Sequence, residues 1–180
     1  MLLRPHQQKA IQAMSRHNKG QVIVPTGGGK TMCMIQDAIE QFKSGRLKTV
    51  VVVAPRILLA NQLSEEFLEF IKDVDVLHVH SGETHHDSTT NSKKIEEWHW
   101  KSKRHQLIFT TYHSLHKIQK ATAMLPDTVY FDEAHNAVQK NFVEAVEHHS
   151  MYVVRNYFFT ATPKHSLTPF KIGMNDTDTF

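Results

Sequence analysis

The chain carries Gln21-Val22-Ile23-Val24-Pro25-Thr26-Gly27-Gly28-Gly29-Lys30-Thr31, a β-branched apolar run that leads through a glycine-rich turn into a helix-like segment. In this order of elements, backbone N–H groups of the turn and of the helix N-terminus can converge on phosphate oxygens. The segment therefore predicts an α/β fold in which a buried strand ends at a nucleotide phosphate site.

The residue types of this turn suit a phosphate site. The three glycines have no Cβ atom, so the backbone can adopt left-handed angles and approach a phosphate closely. Lys30 would place a positive charge on the β- and γ-phosphates, and Thr31 would offer its hydroxyl to Mg²⁺. The strict pattern G-x-x-x-x-G-K-[ST] has a glycine where this chain has Val24, so the loop departs from it there. The predicted ATP-binding residues of the loop are Thr26, Gly27, Gly28, Gly29, Lys30 and Thr31.

An acidic motif, Asp132-Glu133-Ala134-His135, follows a second apolar run, Val129-Tyr130-Phe131. Carboxyl ends of parallel strands meet at one edge of a sheet, where ligands of open α/β folds bind. We expect Asp132 to hold the metal, directly or through water, and Glu133 to orient or deprotonate the attacking water. Lys30 and Glu133 are thus the predicted catalytic residues. The alternative is that these acids only cap the next helix at the surface.

Apolar periodicity alternates between strand-like and helix-like segments, which is typical of a mainly parallel sheet covered by helices. A polar stretch at 81–92 is expected to be a loop, and residues 164–180 lack any period and are expected to be a linker. The expected helices are 5–16, 30–43, 58–70, 112–120 and 141–149, and the expected strands are 22–24, 50–54, 74–79, 107–110, 128–131 and 153–159.

Composition favours one soluble intracellular domain. The chain has 180 residues, of which 40% are hydrophobic and 22% charged, and it contains no apolar run of membrane-spanning length. The single cysteine, Cys33, cannot form an internal disulfide and fits a reducing compartment. We expect its side chain to contribute to the packing of the helix behind the phosphate loop. The formal charge of +3 permits a polyanionic partner without requiring one.

Two further features have competing interpretations. The segment 93–104 has five basic residues against two acidic ones beside Trp98 and Trp100, which fits either a nucleic-acid contact or a solvated amphipathic helix that buries one or both tryptophans. The 14 histidines include His78-x-His80 and the pairs 85–86 and 148–149. No cysteine pair accompanies them, so we expect solvent-facing side chains rather than a metal site.

Three segments in order give the chain a family resemblance. Pro25 to Thr31, Asp132 to His135, and Thr160-Ala161-Thr162 resemble motifs I, II and III of superfamily 2 helicases of the DEAH type. This resemblance implies a RecA-like P-loop domain that uses ATP and Mg²⁺. The start Leu3 to Gln7 and the segment Phe159 to Pro163 are most similar to the branch with restriction-enzyme motor subunits and DNA repair helicases, which favours DNA as the partner.

The resemblance also implies roles for residues outside the loop and the acidic motif. Gln7 would read the adenine edge with Arg4 near the base, although Pro5 also explains this segment as a plain helix start. Arg56 and Thr111 match motifs that contact the backbone of a single nucleic-acid strand. Alternatively, Arg56 is a solvated residue at a helix start and Thr111 is an ordinary end of a β-strand. By the same resemblance, the residues that couple the nucleotide site to a neighbouring domain are His135, Thr160 and Thr162, although the threonines also suit a strand end.

The resemblance covers residues 1–163 as the first of two RecA-like domains, with 164–180 as a linker towards the second. The arginine motif of that second domain has no match in this sequence, so we expect the chain alone to bind ATP and to hydrolyse it poorly. The predicted function is that of the ATP-binding domain of a nucleic-acid helicase or translocase. Two alternatives stay open: a nucleotide-dependent binding switch without motor activity, and a P-loop enzyme that acts on small molecules.

Overall fold

A computed structural model describes residues 3–24, 29–82, 84 and 86–161. Seven strands form one sheet in the order β1-β7-β6-β2-β5-β3-β4, and every neighbouring pair is parallel. The predicted α/β class with a mainly parallel sheet is confirmed. The elements are α1 (Pro5–Arg16), β1 (Lys19–Ile23), α2 (Lys30–Phe42), β2 (Thr49–Ala54), α3 (Ile57–Phe70), β3 (Val74–Val79), β4 (Asp87–Ser88), α4 (Ser92–Lys101), β5 (His105–Thr111), α5 (Leu115–Lys120), β6 (Thr128–Phe131), a 3-10 helix (Ala134–Val138), α6 (Val143–Tyr152) and β7 (Arg155–Thr160).

The core lies on both faces of the sheet. Val50 and Val52 of β2 point to the layer formed by α1, α2 and α3, whereas Val51 and Val53 point to the layer formed by α4, α5 and α6. Every residue of β2 is buried because its alternating side chains enter both layers. Cys33 is fully buried in the first layer, as predicted.

Two segments differ from or refine the expected pattern. The stretch 81–92 is not entirely loop, because Asp87 and Ser88 pair with the end of β3 as an edge strand of two residues. The basic segment forms α4, in which Trp98 packs partly buried against the core while Trp100 stays 69% exposed. The structure thus has the amphipathic helix, with one tryptophan contributing to the core.

The expectation of solvent-facing histidines is wrong for His78, His80 and His149, which are all buried. The backbone N–H of Gly82 donates to Nδ1 of His80 at 3.1 Å, and Nε2 of His80 lies 3.0 Å from Nδ1 of His78. Burial, followed by repulsion from the neighbouring imidazoles, lowers the pKa of His78 to about 3. These rings are therefore neutral parts of the core. In the described part of the chain, no group of three or more His, Cys, Asp or Glu side chains is placed to hold a metal ion.

A buried ion pair joins α2 to β7, and a hydrogen bond from β6 reaches the same carboxylate. Arg155 donates from both terminal nitrogens to the two carboxylate oxygens of Asp37, each at 2.8 Å, and the hydroxyl of Tyr130 donates to the same carboxylate. Because α2 begins at Lys30, this contact helps to set the position of the predicted phosphate site.

Among the helices in the described ranges, none is long and apolar enough to cross a membrane.

Candidate nucleotide site

The two predicted motifs meet at the carboxyl edge of the sheet. β1 leads towards Gly29 and α2, and β6 leads directly into Asp132; the two strands are separated in the sheet only by β7. Gly29 has a left-handed backbone (φ +77°), and a Cβ atom built there would lie 2.2 Å from Nε2 of Gln7. Glycine is needed at this position for both reasons.

Lys30 lies between the two carboxylates of the acidic motif. Its Nζ is 3.0 Å from Oδ1 of Asp132 and donates a hydrogen bond to Oε1 of Glu133. Burial disfavours the charged ammonium, but the two carboxylates outweigh burial and raise the pKa of Lys30. The lysine is therefore charged at neutral pH and neutralises part of this acidic cluster.

Asp132 is 5% exposed, and its oxygen Oδ1 lies 3.0 Å from the ammonium of Lys30. Burial raises the pKa of Asp132, and this effect exceeds the opposing attraction of Lys30. A nearly buried carboxylate beside the start of α2 is an oxygen ligand of the kind that Mg²⁺ takes. The hydroxyl of Tyr112 donates to the backbone oxygen of Asp132 at 2.7 Å and so fixes the peptide of this residue.

Thr31, the other predicted metal ligand, is the second residue of α2 and lies close to the carboxylate of Glu66 on α3. Burial, followed by repulsion from Glu69 and Asp132, raises the pKa of Glu66. Thr31 and Asp132 together offer a hydroxyl and a carboxylate, which are oxygen ligands of the kind that Mg²⁺ takes alongside nucleotide phosphates and water. The chemistry of these residues fits the ion.

Arg4 and Gln7 connect the first helix to the phosphate site. Gln7 is buried; its Oε1 accepts from the backbone N–H of Arg4 at 2.8 Å, and its Nε2 donates to the backbone oxygen of Gly29 at 3.1 Å. The amide therefore ties the start of α1 to the residue before Lys30. Its contact with an adenine base stays a prediction.

Glu133 also faces the residues predicted to couple domains. Its backbone is left-handed (φ +48°), which is a strained conformation for a residue other than glycine and turns the chain from β6 into the 3-10 helix. His135 Nδ1 lies 3.7 Å from Oε2 of Glu133 and 3.5 Å from Oγ1 of Thr160, at the end of β7. The structure thus brings the acidic motif and the third motif within contact distance.

Arg56 and Thr111 follow or end the neighbouring strands β2 and β5 at the same edge. Arg56 is exposed, and its side chain forms no hydrogen bond or ion pair within the described ranges. Thr111 is buried, and its hydroxyl accepts from the N–H of Ser114 at 3.3 Å. Contact between Arg56 and a nucleic-acid strand therefore needs no rearrangement of this side chain's protein contacts. The hydroxyl of Thr111, in contrast, already accepts a hydrogen bond.

Four predicted site residues lie outside the described residues: Thr26, Gly27, Gly28 and Thr162. Among the described residues, the structure also places Tyr112 at the site, in a role that the sequence did not indicate. No local pattern reveals this role, because the contact of Tyr112 with Asp132 depends on the position of β5 relative to β6.

The chain also matches a family of known proteins. A family model described as type III restriction enzyme, res subunit, matches residues 1–165. None of the curated proteins compared with the chain matches it.

Solved structures show the same fold. The type ISP restriction-modification enzyme LlaGI, a nuclease-deletion mutant in complex with a DNA substrate mimic, aligns with a TM-score of 0.80 at 23% identity over 99% of this chain and 19% of that chain. LlaBIII, an ATP-dependent type ISP enzyme bound to DNA, aligns with 0.76 at 23% identity over 91% and 13%. The Hef helicase domain of Pyrococcus furiosus aligns with 0.71 at 18% identity over 96% and 36%. The chain thus spans 19% of LlaGI and 13% of LlaBIII. The likeness to these structures establishes the fold.

Proposed function

Because this chain belongs to the type III restriction enzyme res subunit family, we propose that it is the ATP-binding domain of a motor that couples ATP hydrolysis to movement on DNA. It is an N-terminal RecA-like domain of superfamily 2 helicase type. The observation that carries the proposal is the meeting of Lys30, Asp132 and Glu133 at the carboxyl edge of the sheet, beside the start of α2.

The charges of this cluster support the assigned roles. In the structure, the ammonium of Lys30 contacts both carboxylates. A bound triphosphate offers a stronger concentration of negative charge, so Lys30 would turn towards the β- and γ-phosphates and release Glu133 to orient a water molecule. Asp132 and the hydroxyl of Thr31 would hold Mg²⁺, which neutralises charge that develops on the transferred phosphate.

Arg56 supports a nucleic-acid partner. An exposed guanidinium at the carboxyl edge can donate two parallel hydrogen bonds to a phosphate, and such contacts are independent of base sequence. Several solved proteins of this fold were determined with DNA: LlaGI with a DNA substrate mimic, LlaBIII bound to DNA, and a Sulfolobus solfataricus SWI2/SNF2 core with double-stranded DNA. We therefore favour DNA, with Thr111 as a further backbone contact and single-stranded DNA as the bound form.

In this proposal, residues 1–163 are the first of two RecA-like domains and 164–180 lead to the second. The second domain supplies an arginine that stabilises the transition state, and such an arginine accounts for roughly 10³ to 10⁵ in rate. His135, Thr160 and Thr162 transmit the state of the nucleotide site to that domain. The 180-residue chain would then bind ATP with Mg²⁺ and hydrolyse it slowly.

The test measures ATP binding and turnover by this chain, with and without single-stranded DNA. Lys30→Ala should remove most of the nucleotide binding, whereas Lys43→Ala, which removes an equal charge from the exposed end of the same helix, should leave it unchanged. Binding without appreciable turnover supports half of a two-domain motor. ATP turnover by the chain alone that increases with single-stranded DNA would refute the need for a second domain. Equal effects of the two lysine substitutions would refute the assignment of Lys30 to the nucleotide site.

A further inference from the structure

We propose that the exposed face of α4 is a second contact surface for single-stranded DNA, on which Trp100 stacks against a base and the surrounding lysines bind phosphates. The inference rests on the DNA partner of the proposed function but concerns the opposite edge of the sheet. α4 ends at Lys101 and β5 begins at His105, so this surface lies at the amino edge. Thr111, the predicted strand contact, ends β5 at the carboxyl edge, where Arg56 and the nucleotide site also lie.

Trp100 leaves most of its indole ring in solvent, although its position is supported. The residue is 69% exposed, whereas Trp98 of the same helix packs against the core. The indole meets the imidazole of His99 edge to face, with ring centroids 4.9 Å apart. The side-chain amide of Gln106 on β5 donates to the backbone oxygen of His99 at 2.9 Å, and its Oε1 lies 2.7 Å from Nδ1 of the imidazole. The indole therefore rests on a residue anchored to the sheet, which lowers the entropic cost of stacking on a base.

Strand pairing brings lysines from three segments to this surface. Lys48 precedes β2; its N–H donates to Nδ1 of His105 at 3.0 Å, and its backbone oxygen accepts from the N–H of Gln106 at 2.9 Å. His105 in turn pairs with Val74 at the start of β3, two residues after Lys72. The lysines of α4 and of the turn that follows it therefore lie beside those that precede β2 and β3.

The surface has an excess of positive charge that the described residues do not neutralise. One acid at the start of β3 and one before β6 are each paired with an arginine, and Glu96 of α4 lies 3.8 Å from Lys93. Glu97 and Asp73 are the two exposed acids of this surface that form no ion pair with a described residue. Five lysines likewise form none, so the local excess of three positive charges equals the formal charge of the whole chain. These lysines are Lys48, Lys72, Lys94, Lys101 and Lys103.

The charge and the aromatic ring together indicate the partner. Lysines without a protein counter-ion attract a polyanion and release its counterions when they bind phosphates, and such contacts do not depend on base sequence. An exposed indole adds a flat face on which an unpaired base can stack. A surface that only kept the domain soluble would need the lysines but not the tryptophan, whose exposure to water is unfavourable.

Two sets of substitutions separate stacking from charge. Trp100→Ala removes the stacking face and leaves the charge, whereas Lys101→Ala with Lys103→Ala removes two charges and leaves the ring. Lys9→Ala with Arg16→Ala is the matched control, because both residues are exposed on α1, which packs on the other face of the sheet. All of these side chains are exposed, so the variants should fold; circular dichroism checks this point.

The experiment titrates the full chain into fluorescein-labelled oligothymidylate and measures anisotropy at several salt concentrations. The seven residues of β5 span about 20 Å, so an oligonucleotide of about 20 nucleotides, with about 3.4 Å per nucleotide, reaches both edges of the sheet. We expect Trp100→Ala to weaken binding by about 5- to 150-fold. The double lysine variant should lower the magnitude of the salt slope by about 1.4, and the α1 control should leave the slope unchanged.

Tryptophan fluorescence reports the stacking directly, because the chain has only two tryptophans. Unlabelled oligothymidylate should quench the fluorescence of the unsubstituted chain. This quenching should be absent in Trp100→Phe, in which Trp98 is the remaining tryptophan. The same quenching in both proteins would contradict stacking on Trp100.

Further outcomes would overturn the inference. Binding that depends on Arg56, but keeps its affinity in Trp100→Ala and its salt slope in the double lysine variant, would leave the proposed function in place and refute this surface. Equal slope changes in the double lysine variant and the α1 control would reflect net charge alone. Self-association that Trp100→Ala abolishes, measured by analytical ultracentrifugation, would assign the surface to a protein partner. If the unsubstituted chain bound no oligothymidylate, with or without an ATP analogue and Mg²⁺, the DNA partner of the proposed function would itself be refuted.

Discussion

Substitution of Asp37 by alanine should destabilise the domain more than almost any other single change, because it leaves a buried guanidinium without its counter-ion. The side chains of Asp37 and Arg155 are 3% and 12% exposed, and they form a two-point ion pair. In Asp37→Ala, Arg155 would keep the backbone oxygen of Met14, the hydroxyl of Thr128 and the ring of Tyr157 under its guanidinium, none of which carries a negative charge. The hydroxyl of Tyr130 would also lose its acceptor.

The expected magnitude follows from the burial of this pair. Removal of one partner of a buried ion pair costs about 3–5 kcal/mol, which is a large share of the roughly 5–15 kcal/mol that stabilises a typical domain. With a urea dependence of about 2 kcal/mol per molar, the midpoint of urea unfolding should fall by about 2 M. Tryptophan fluorescence and circular dichroism would both follow the transition.

Two further variants test the cause of this loss. Arg46→Ala breaks an ion pair with Asp127 in which the arginine is 69% exposed, so it should cost no more than about 1 kcal/mol. The double substitution Asp37→Leu with Arg155→Met should recover much of the stability, because it removes both buried charges. A loss below about 1 kcal/mol in Asp37→Ala, or no recovery in the double variant, would refute the argument from an orphaned charge.

Three other changes test the site and its support. Gly29→Ala should weaken binding of an ATP analogue and cost about 1–2 kcal/mol in urea unfolding, since the left-handed backbone disfavours alanine and its Cβ would meet Gln7; unchanged binding and stability would contradict this. Tyr112→Phe should cost about 1–2 kcal/mol in the same assay by leaving the buried backbone oxygen of Asp132 without a donor, and a neutral result would show that another donor replaces it. Burial lowers the pKa of His149 from 6.5 to about 4, so the unfolded chain binds more protons and stability should fall by up to about 3 kcal/mol as the pH drops through this interval. His149→Leu should flatten that part of the stability profile, and an unaltered profile would assign the acid sensitivity to other groups.

Much of the fold could be predicted because its signals are local. The run Val50 to Val53 reads as a buried strand from its β-branched side chains alone, and the strand is where it was expected. Helix ends were less predictable: α5 begins at Leu115 rather than at Tyr112, because residues 112–114 form a turn in which the N–H of Ser114 donates to the backbone oxygen of Thr111. The pairing of Asp87–Ser88 with β3 had no pattern of its own, since two polar residues become a strand only beside a partner.

The histidines show the same limit. His78 and His80 alternate with apolar residues at the end of β3, and polarity suggested exposure. They are buried because β5 and the segment that follows β3 cover them, and the N–H of Gly82 satisfies one ring nitrogen. Polarity alone does not indicate exposure, because a neighbouring peptide can supply the hydrogen bond that a buried polar side chain needs.

The class of fold, the order of the longer strands and most helices, and the residue types at the phosphate loop and the acidic motif could all be inferred from the sequence. These follow from short-range periodicity and from the conformational freedom of glycine. The contacts of Lys30 with Asp132 and Glu133, and of Arg155 with Asp37, could be found only in the folded structure. Each of them joins residues from separate elements, so it depends on the order of strands in the sheet and on the packing of α2 against that sheet.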